Sequence, residues 1–298
     1  MVIKTTKKKS FVISILLIIF IFSFISFSLF SDYFSQTNNK NIKELIGSIS
    51  VLVLILIVIY CYLKIPKIEM NHEKIIFKTL FSNKQYSLKD IKKVMFTGKM
   101  PMKYCPFDVD EGMLLEFNTN EKIFVYDDFY GNLWKIKNKL YRITNKSLPS
   151  KEKYFKSNTI IKGSLFTILG LSSLFSTIFF IFIILKIDYS NISIGLLISL
   201  ISFLIIPVSI GNLLYYFEFN HDKLIVKNHL FFWFKKEYET KSIKEVTIEH
   251  FYRIIPDGLR IISNNFETKV YRLGTYKEIH WNELLKNLNK AYIKVRYN

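Results

Sequence analysis

The sequence predicts an integral membrane protein of four transmembrane helices, arranged as two hairpins, each followed by a small basic α+β domain. Three observations predict it. Four apolar blocks interrupt an otherwise highly charged chain, the formal charge of +18 is concentrated in the polar segments, and the second half repeats the first. The expected organisation is hairpin one over 1–63, domain one over 64–158, hairpin two over 159–217 and domain two over 218–298.

Half of the 298 residues are hydrophobic, yet 22% are charged. Abundant Phe and Tyr with scarce Gly and Pro exclude disordered and collagen-like classes. A positive mean hydropathy fits so many charges only if the two kinds of residue are segregated. The excess of Lys and Arg points to anionic lipid, nucleic acid or positive-inside topology, and the apolar blocks favour topology and lipid. Two cysteines, Cys61 and Cys105, make neither a disulfide framework nor a zinc site.

The apolar blocks run from Phe11 to Phe30, about Leu45 to Leu63, about Ile160 to Leu185 and about Ile194 to Phe217. Each approaches the roughly 20 residues that cross a bilayer as a helix. The first is longer than the about 7–15 residues of a secretory signal core and lacks a small-residue cleavage site, so it reads as an uncleaved helix. Lys4, Lys7, Lys8 and Lys9 precede it, Lys64 and Lys67 follow the second block, and Lys151, Lys153, Lys156 and Lys162 lead into the third. The positive-inside bias then places both termini and both polar segments in the cytoplasm, with the chain in a bacterial cytoplasmic membrane. The block interiors lack ionisable residues, which argues against charge-coupled transport. Gly163, Thr167, Gly170, Ser173 and Thr177, with Gly195, Ser199 and Ser202, recur at helical spacing and read as helix-packing positions. Pro207 reads as a bend in the fourth helix.

The polar segments resemble each other. Asn71-His72-Glu73-Lys74 matches Asn220-His221-Asp222-Lys223, Ile91-Lys92-Lys93-Val94 matches Ile243-Lys244-Glu245-Val246, and the stretch from Gly112 parallels that from Gly258. Both halves end in a Trp-bearing helix, so the unit is a duplication of about 150 residues. Alternating apolar positions predict strands at about 74–80, 84–88, 91–97, 113–118 and 121–127. The Asn-His turns rely on an Asn that tolerates unusual backbone angles. The helix of the first half should bury Leu133, Ile136, Leu140 and Ile143, and that of the second Trp281, Leu284, Leu285 and Leu288. Thr275 followed by Glu278 reads as a capping box. The result is a sheet of about six strands closed by one C-terminal helix.

This arrangement resembles the bacterial PH-like domain family. The resemblance rests on the turn after each membrane exit, on the IKKV and IKEV strands and on the Trp-containing last helix, and it covers essentially the whole chain, twice. It implies an antiparallel sheet or barrel of seven strands closed by a helix, which leaves one strand unassigned. It also implies a non-enzymatic membrane module, some members being linked to protection against membrane-active peptides, with no site residues to carry over.

The turns between the second and third strands of each domain are the candidate lipid- or partner-binding sites. In the second domain the residues are Leu230, Phe231, Phe232, Trp233, Lys235 and Lys236, and in the first Leu80, Phe81 and Lys84. Aromatics beside lysines suit an interfacial anchor, whereas the alternative is packing inside the sheet. Lys64, Lys67, Lys151, Lys153 and Lys156 either bind anionic headgroups or only set topology, and Lys89, Lys92 and Lys93 form a solvated strand face. The five histidines lack metal-ligand spacing, and Asp108, Asp110 and Glu111 lack the calcium-loop pattern. No catalytic motif is present. The expectation is a scaffold or sensor without cofactor or metal, bound to membrane lipid and to a protein partner, a second copy or anionic lipid, and binding neither nucleic acid nor a small-molecule substrate. The alternative is a small transporter or channel subunit.

Overall fold

A computed structural model describes residues 2–35, 42–101, 109–144, 158–165, 210–250 and 256–297, together with Thr167, Leu171, Ser172, Phe175 and Ile178. The chain divides into two compact units, Met1–Lys146 and Ser147–Asn298. The boundary falls before the expected 158/159 because the last helix of the first unit already ends at Thr144.

In the first unit, the uninterrupted run of Phe, Ile and Leu forms helix α1 (Lys9–Ser35), and the next apolar run forms α2 (Ile42–Lys64). Both are long and apolar enough to cross a membrane. A core helix of a water-soluble protein would pass the same test, but it would be buried. Here Phe20, Phe27, Leu54 and Leu56 lie exposed along the helices. The third and fourth apolar blocks lie mostly outside the described residues, including Gly170, Gly195, Ser199 and Pro207.

Strands β1 (Ile3–Lys4), β2 (Lys67–Met70), β3 (Lys74–Lys78) and β4 (Asn83–Ser87) form one antiparallel sheet in that order. The second sheet is built on β7 (Val109–Phe117), which pairs with β5 (Ile91–Met95), β6 (Lys99–Pro101) and β8 (Lys122–Tyr126). Helix α3 (Leu133–Thr144) buries Leu133, Ile136 and Leu140 against a core that includes Ile68, Phe77, Met113, Leu115 and Phe117. Ile143, expected on that buried face, is 51% exposed, because it lies in the last turn of the helix, past the sheet.

The second unit repeats the plan. β9 (Thr159–Ile161), β10 (Tyr215–Asn220), β11 (Lys223–Asn228) and β12 (Lys235–Glu239) form one sheet. The other contains β13 (Ile243–Glu249), β14 (Gly258–Ser263), β15 (Thr268–Arg272) and β16 (Lys294–Arg296), the last running parallel to β13. Helix α4 (Glu278–Lys290) buries Leu284 and Leu288, with Trp281 and Leu285 packed at the core edge. The expected capping box on Thr275 does not form. The helix starts later, its N-cap is Lys277, and His280 Nδ1 accepts the Lys277 N–H at 3.1 Å while Thr275 is buried in the loop before it.

The matching motifs have matching geometry. The IKKV and IKEV strands each carry a register shift, between Ile91 and Lys93 and between Ile243 and Glu245, so Lys92 and Lys244 bulge outward. Glu69 pairs with Lys78 at 3.0 Å and Glu218 with Lys227 at 2.6 Å, one diagonal across equivalent strand pairs. The Asn-His turns differ in detail. Asn71 Oδ1 accepts the Glu73 and Lys74 N–H groups, whereas in the second turn it is His221, not Asn220, that takes the left-handed backbone (φ 46°).

Two strands depart from expectation. β1 precedes the first hairpin and β9 precedes the second pair of apolar blocks, yet each pairs with the strand that follows them. Ile3 stands opposite Met70 and Ile161 opposite Phe217. The divisions expected at 63/64 and 217/218 therefore cut across a sheet. Ile160 and Ile161, assigned to the third apolar block, and Tyr215 to Phe217, assigned to the fourth, are strand residues.

Candidate membrane-interface site

The turn between β3 and β4 is built by Thr79. Its Oγ1 accepts the N–H groups of Phe81 (3.2 Å) and Ser82 (2.9 Å), folding the chain tightly and leaving Leu80 70% and Phe81 62% exposed. Phe81 lies beside Tyr60 of α2, with ring centroids 6.1 Å apart, and Lys64 Nζ stands 4.4 Å above the Tyr60 ring. The turn thus sits against the last turns of a helix long enough to span a bilayer.

The longer turn between β11 and β12 has a polar foundation. Asn228, 3% exposed, accepts the N–H groups of Leu230 and Phe231 at 2.9 Å each, and its Nδ2 donates to Gly211 O at 2.7 Å. Both side chains close on Gly211, where an added Cβ would lie 2.7 Å from the Phe231 ring and 2.8 Å from Leu230 and would push those side-chain ends aside. Leu230 and Phe231 are therefore half-buried anchors, while Phe232 and Trp233 stand 85% and 69% exposed, edge to face at 4.9 Å. His229 caps the arrangement, its Nε2 lying 2.6 Å from Lys162 O, and burial pushes its imidazole below the usual range.

The structure places the candidate residues of each turn together but changes the part played by the lysines. Lys84 is bound to Glu121 at 2.7 Å and Lys235 to Glu237 at 2.6 Å. Hydrogen bonds from Lys223 and then Lys235 hold the Glu237 carboxyl down at about 2. Lys236 lies 5.9 Å over the Tyr238 ring. Lys92, assigned to a solvated face, pairs with Glu116 at 3.2 Å. Lys151, Lys153 and Lys156 lie outside the described residues.

Sequence reasoning missed the joint that ties each sheet to the segment before its apolar blocks. In the first unit, Thr5 Oγ1 accepts Ile68 N–H at 2.8 Å, Lys8 pairs with Asp128 at 2.7 Å, and Lys7 donates to Ile65 O at 2.9 Å between the rings of Tyr62 and Tyr130. Burial pulls the Lys7 ammonium down to about 8. In the second, Tyr276 OH donates to Ile161 O at 2.5 Å and accepts Phe217 N–H at 3.1 Å. Gly163 and Thr167 belong to this joint and are not helix-packing positions. Gly163 has φ +68° against Thr275, and Thr167 Oγ1 donates to Gly274 O at 3.0 Å. The spacing signal failed because these residues lie where strand gives way to the apolar block.

Within the first hairpin, Ser26 and Ser48 are buried and hydrogen-bonded to each other at 2.9 Å, clasping α1 to α2. Two ion pairs are also buried, Lys137 with Asp127 at 2.6 Å and Arg260 with Glu249 at 2.5 Å. Among the described residues no group of three or more His, Cys, Asp or Glu is placed to hold a metal ion. No protein-family model matches this sequence, and none of the curated proteins with which it was compared matches it.

Proposed function

We propose that the chain is a non-enzymatic membrane scaffold or sensor with two PH-like units on the cytoplasmic side of a bacterial membrane, carried on four spans in two hairpins. One observation carries this reading. In the first unit an apolar hairpin is inserted between two neighbouring strands of one sheet, and β9 and β10 flank the third and fourth apolar blocks in the same way. Both ends of the apolar insertion are thereby tied into one sheet, a route by which a displacement of the hairpin would reach the polar surface. Among the described residues each unit has eight strands in two four-stranded sheets and one helix near its end, one strand more than the seven that the PH-like resemblance implies.

Lys137 with Asp127 and Arg260 with Glu249 are buried ion pairs, the arrangement of structural rather than reacting charges. The partner is a protein, a second copy or lipid, and protection against membrane-active peptides is one use of such a scaffold. Expression of the full chain in a peptide-sensitive bacterial host should lower sensitivity to pore-forming peptides. Thr5→Pro, which removes an N–H that donates to Ile68 O at 2.8 Å, should abolish the effect. Unchanged sensitivity together with solute flux in proteoliposomes would replace the scaffold with a small transporter.

A further inference from the structure

We infer that the turn between β11 and β12 is an apolar wedge seated in the cytoplasmic leaflet, and that the turn between β3 and β4 is its smaller counterpart. The occupant of this surface is the boundary between lipid headgroups and acyl chains. The inference rests on the reading of both units as membrane-attached and cytoplasmic, and deepens it by choosing among the possible partners.

Position is the first argument. Phe81 packs beside Tyr60, four residues before the end of α2 at Lys64. Four residues of helix rise about 6 Å, so the side chain reaches back along the membrane helix past its last lysine. In the second unit Leu230 and Phe231 close on Gly211, where the described chain leaves the fourth apolar block for β10. Both turns therefore stand at a membrane exit.

Rigidity is the second. A loop that carries exposed aromatics only by accident has no reason to be held from beneath. Here Asn228 fixes the backbone that leads into Phe231, and Thr79 fixes the backbone on both sides of Phe81. The tips are presented, and Trp with Phe and Leu is the set that buries at the boundary of headgroups and acyl chains.

Charge decides what kind of lipid contact this is. Lys84 and Lys235 each face a carboxylate at 2.7 and 2.6 Å, which neutralises one lysine of each turn and leaves Lys236 on the second, so the exposed apolar tips are what the two turns have in common. The two turns share neither length nor sequence, Leu80-Phe81 against Leu230 to Trp233. They share only apolar character and place. A protein groove would demand a fixed shape from both, whereas a bilayer demands only the apolar surface.

The test uses the full chain with Cys61→Ser and Cys105→Ser, reconstituted in phosphatidylcholine vesicles. Single cysteines are introduced by Phe232→Cys, Leu56→Cys or Lys241→Cys and labelled with nitrobenzoxadiazole. Leu56 is exposed on α2, and Lys241 lies beyond the far end of β12, about 20 Å from the turn at roughly 3.3 Å per residue. Brominated acyl chains should quench the labels at 56 and 232 and spare the one at 241, equally with and without phosphatidylglycerol and at low and high salt. Quenching at 56 without quenching at 232 would overturn the wedge and leave the membrane reading standing. Quenching at neither would remove both. Quenching at 232 that needs anionic lipid and disappears in salt would make the turn a cationic site, and quenching at all three would deny the turn any special place; either result overturns the proposal.

Discussion

Gly163→Ala is the sharpest test of the joint between sheet and apolar block. Gly163 has φ +68°, in the left-handed region, where a residue with a Cβ loses about 1–2 kcal/mol. The new methyl group would also lie 2.6 Å from Thr275 Oγ1, 2.7 Å from Thr275 O and 2.8 Å from Tyr276 Cδ1. These atoms have little room to withdraw. Thr275 O accepts Ser164 N–H at 2.8 Å, and the Tyr276 hydroxyl bridges Ile161 and Phe217. Overpacking of this kind costs about 1–3 kcal/mol, for a total of about 2–5 kcal/mol. Hydrogen exchange of the β9 and β10 amides should therefore accelerate by about 30-fold or more, at tenfold per roughly 1.4 kcal/mol. Gly131→Ala is the matched control in the first unit, because the nearest atom to its Cβ would be Thr6 Oγ1 at 3.7 Å, an ordinary contact. Should both substitutions change exchange at their joints equally little, the argument from backbone angle and close approach would be refuted.

Three further outcomes are expected. Lys137→Met leaves Asp127 buried without its ammonium partner and should cost about 3–5 kcal/mol, while combining Lys137→Met with Asp127→Leu should recover part of it; a thermal double-mutant cycle measures this. Tyr276→Phe strands Ile161 O and Phe217 N–H and should destabilise the second unit by about 1–3 kcal/mol, read as faster exchange at those two strands with the first unit unchanged. Lys7 binds its proton less tightly when folded, at about 8, than its ordinary 10.5. Between these values the unfolded chain holds more protons, so the stability of the first unit should rise with pH from about 8 to 10.5. Lys7→Met should flatten that rise in unfolding curves measured across the window.

Five strands of the first unit, β3, β4, β5, β7 and β8, were legible to within a few residues, whereas β2 and β6 carried no predicted range. The alternation of Ile75 and Phe77 marks β3, observed over Lys74–Lys78, and the apolar faces of α3 and α4 follow their periodicity as far as Leu140 and Leu288. β1 and β9 were not legible. Two or three residues are too few for an alternating pattern, and each adjoins a long apolar block that dominates any window drawn over it. Lys84 looked like part of a lipid-attracting set because its partner is distant in sequence, whereas Lys235 has its partner Glu237 two residues on, along the same strand. Glu121 lies 37 residues from Lys84 and is brought to it only by the closing of one sheet over the other. Burial of Lys137 and Arg260 was hidden for the same reason, since a charge reads as surface until its counter-charge is placed. Gly163 and Thr167 show the reverse error. Their spacing fits a helix, but spacing cannot tell a helix from the bend that precedes one.

The pairing of β1 with β2 also imposes a rule of parity. Hydrogen bonds of 2.8 Å join Thr5 and Ile68 from both directions, which requires residues before α1 and after α2 to lie in the same aqueous compartment. A single crossing, or cleavage of α1 after insertion, would leave β2 without its neighbour and the edge of the sheet bare. The register of Ile161 with Phe217 applies the same rule to the flanks of the later apolar blocks. If these apolar blocks cross a bilayer, as proposed, orientation is checked twice, once by lysines that bias insertion as the chain emerges, and again by sheets that can close only when the chain has returned to the side from which it set out.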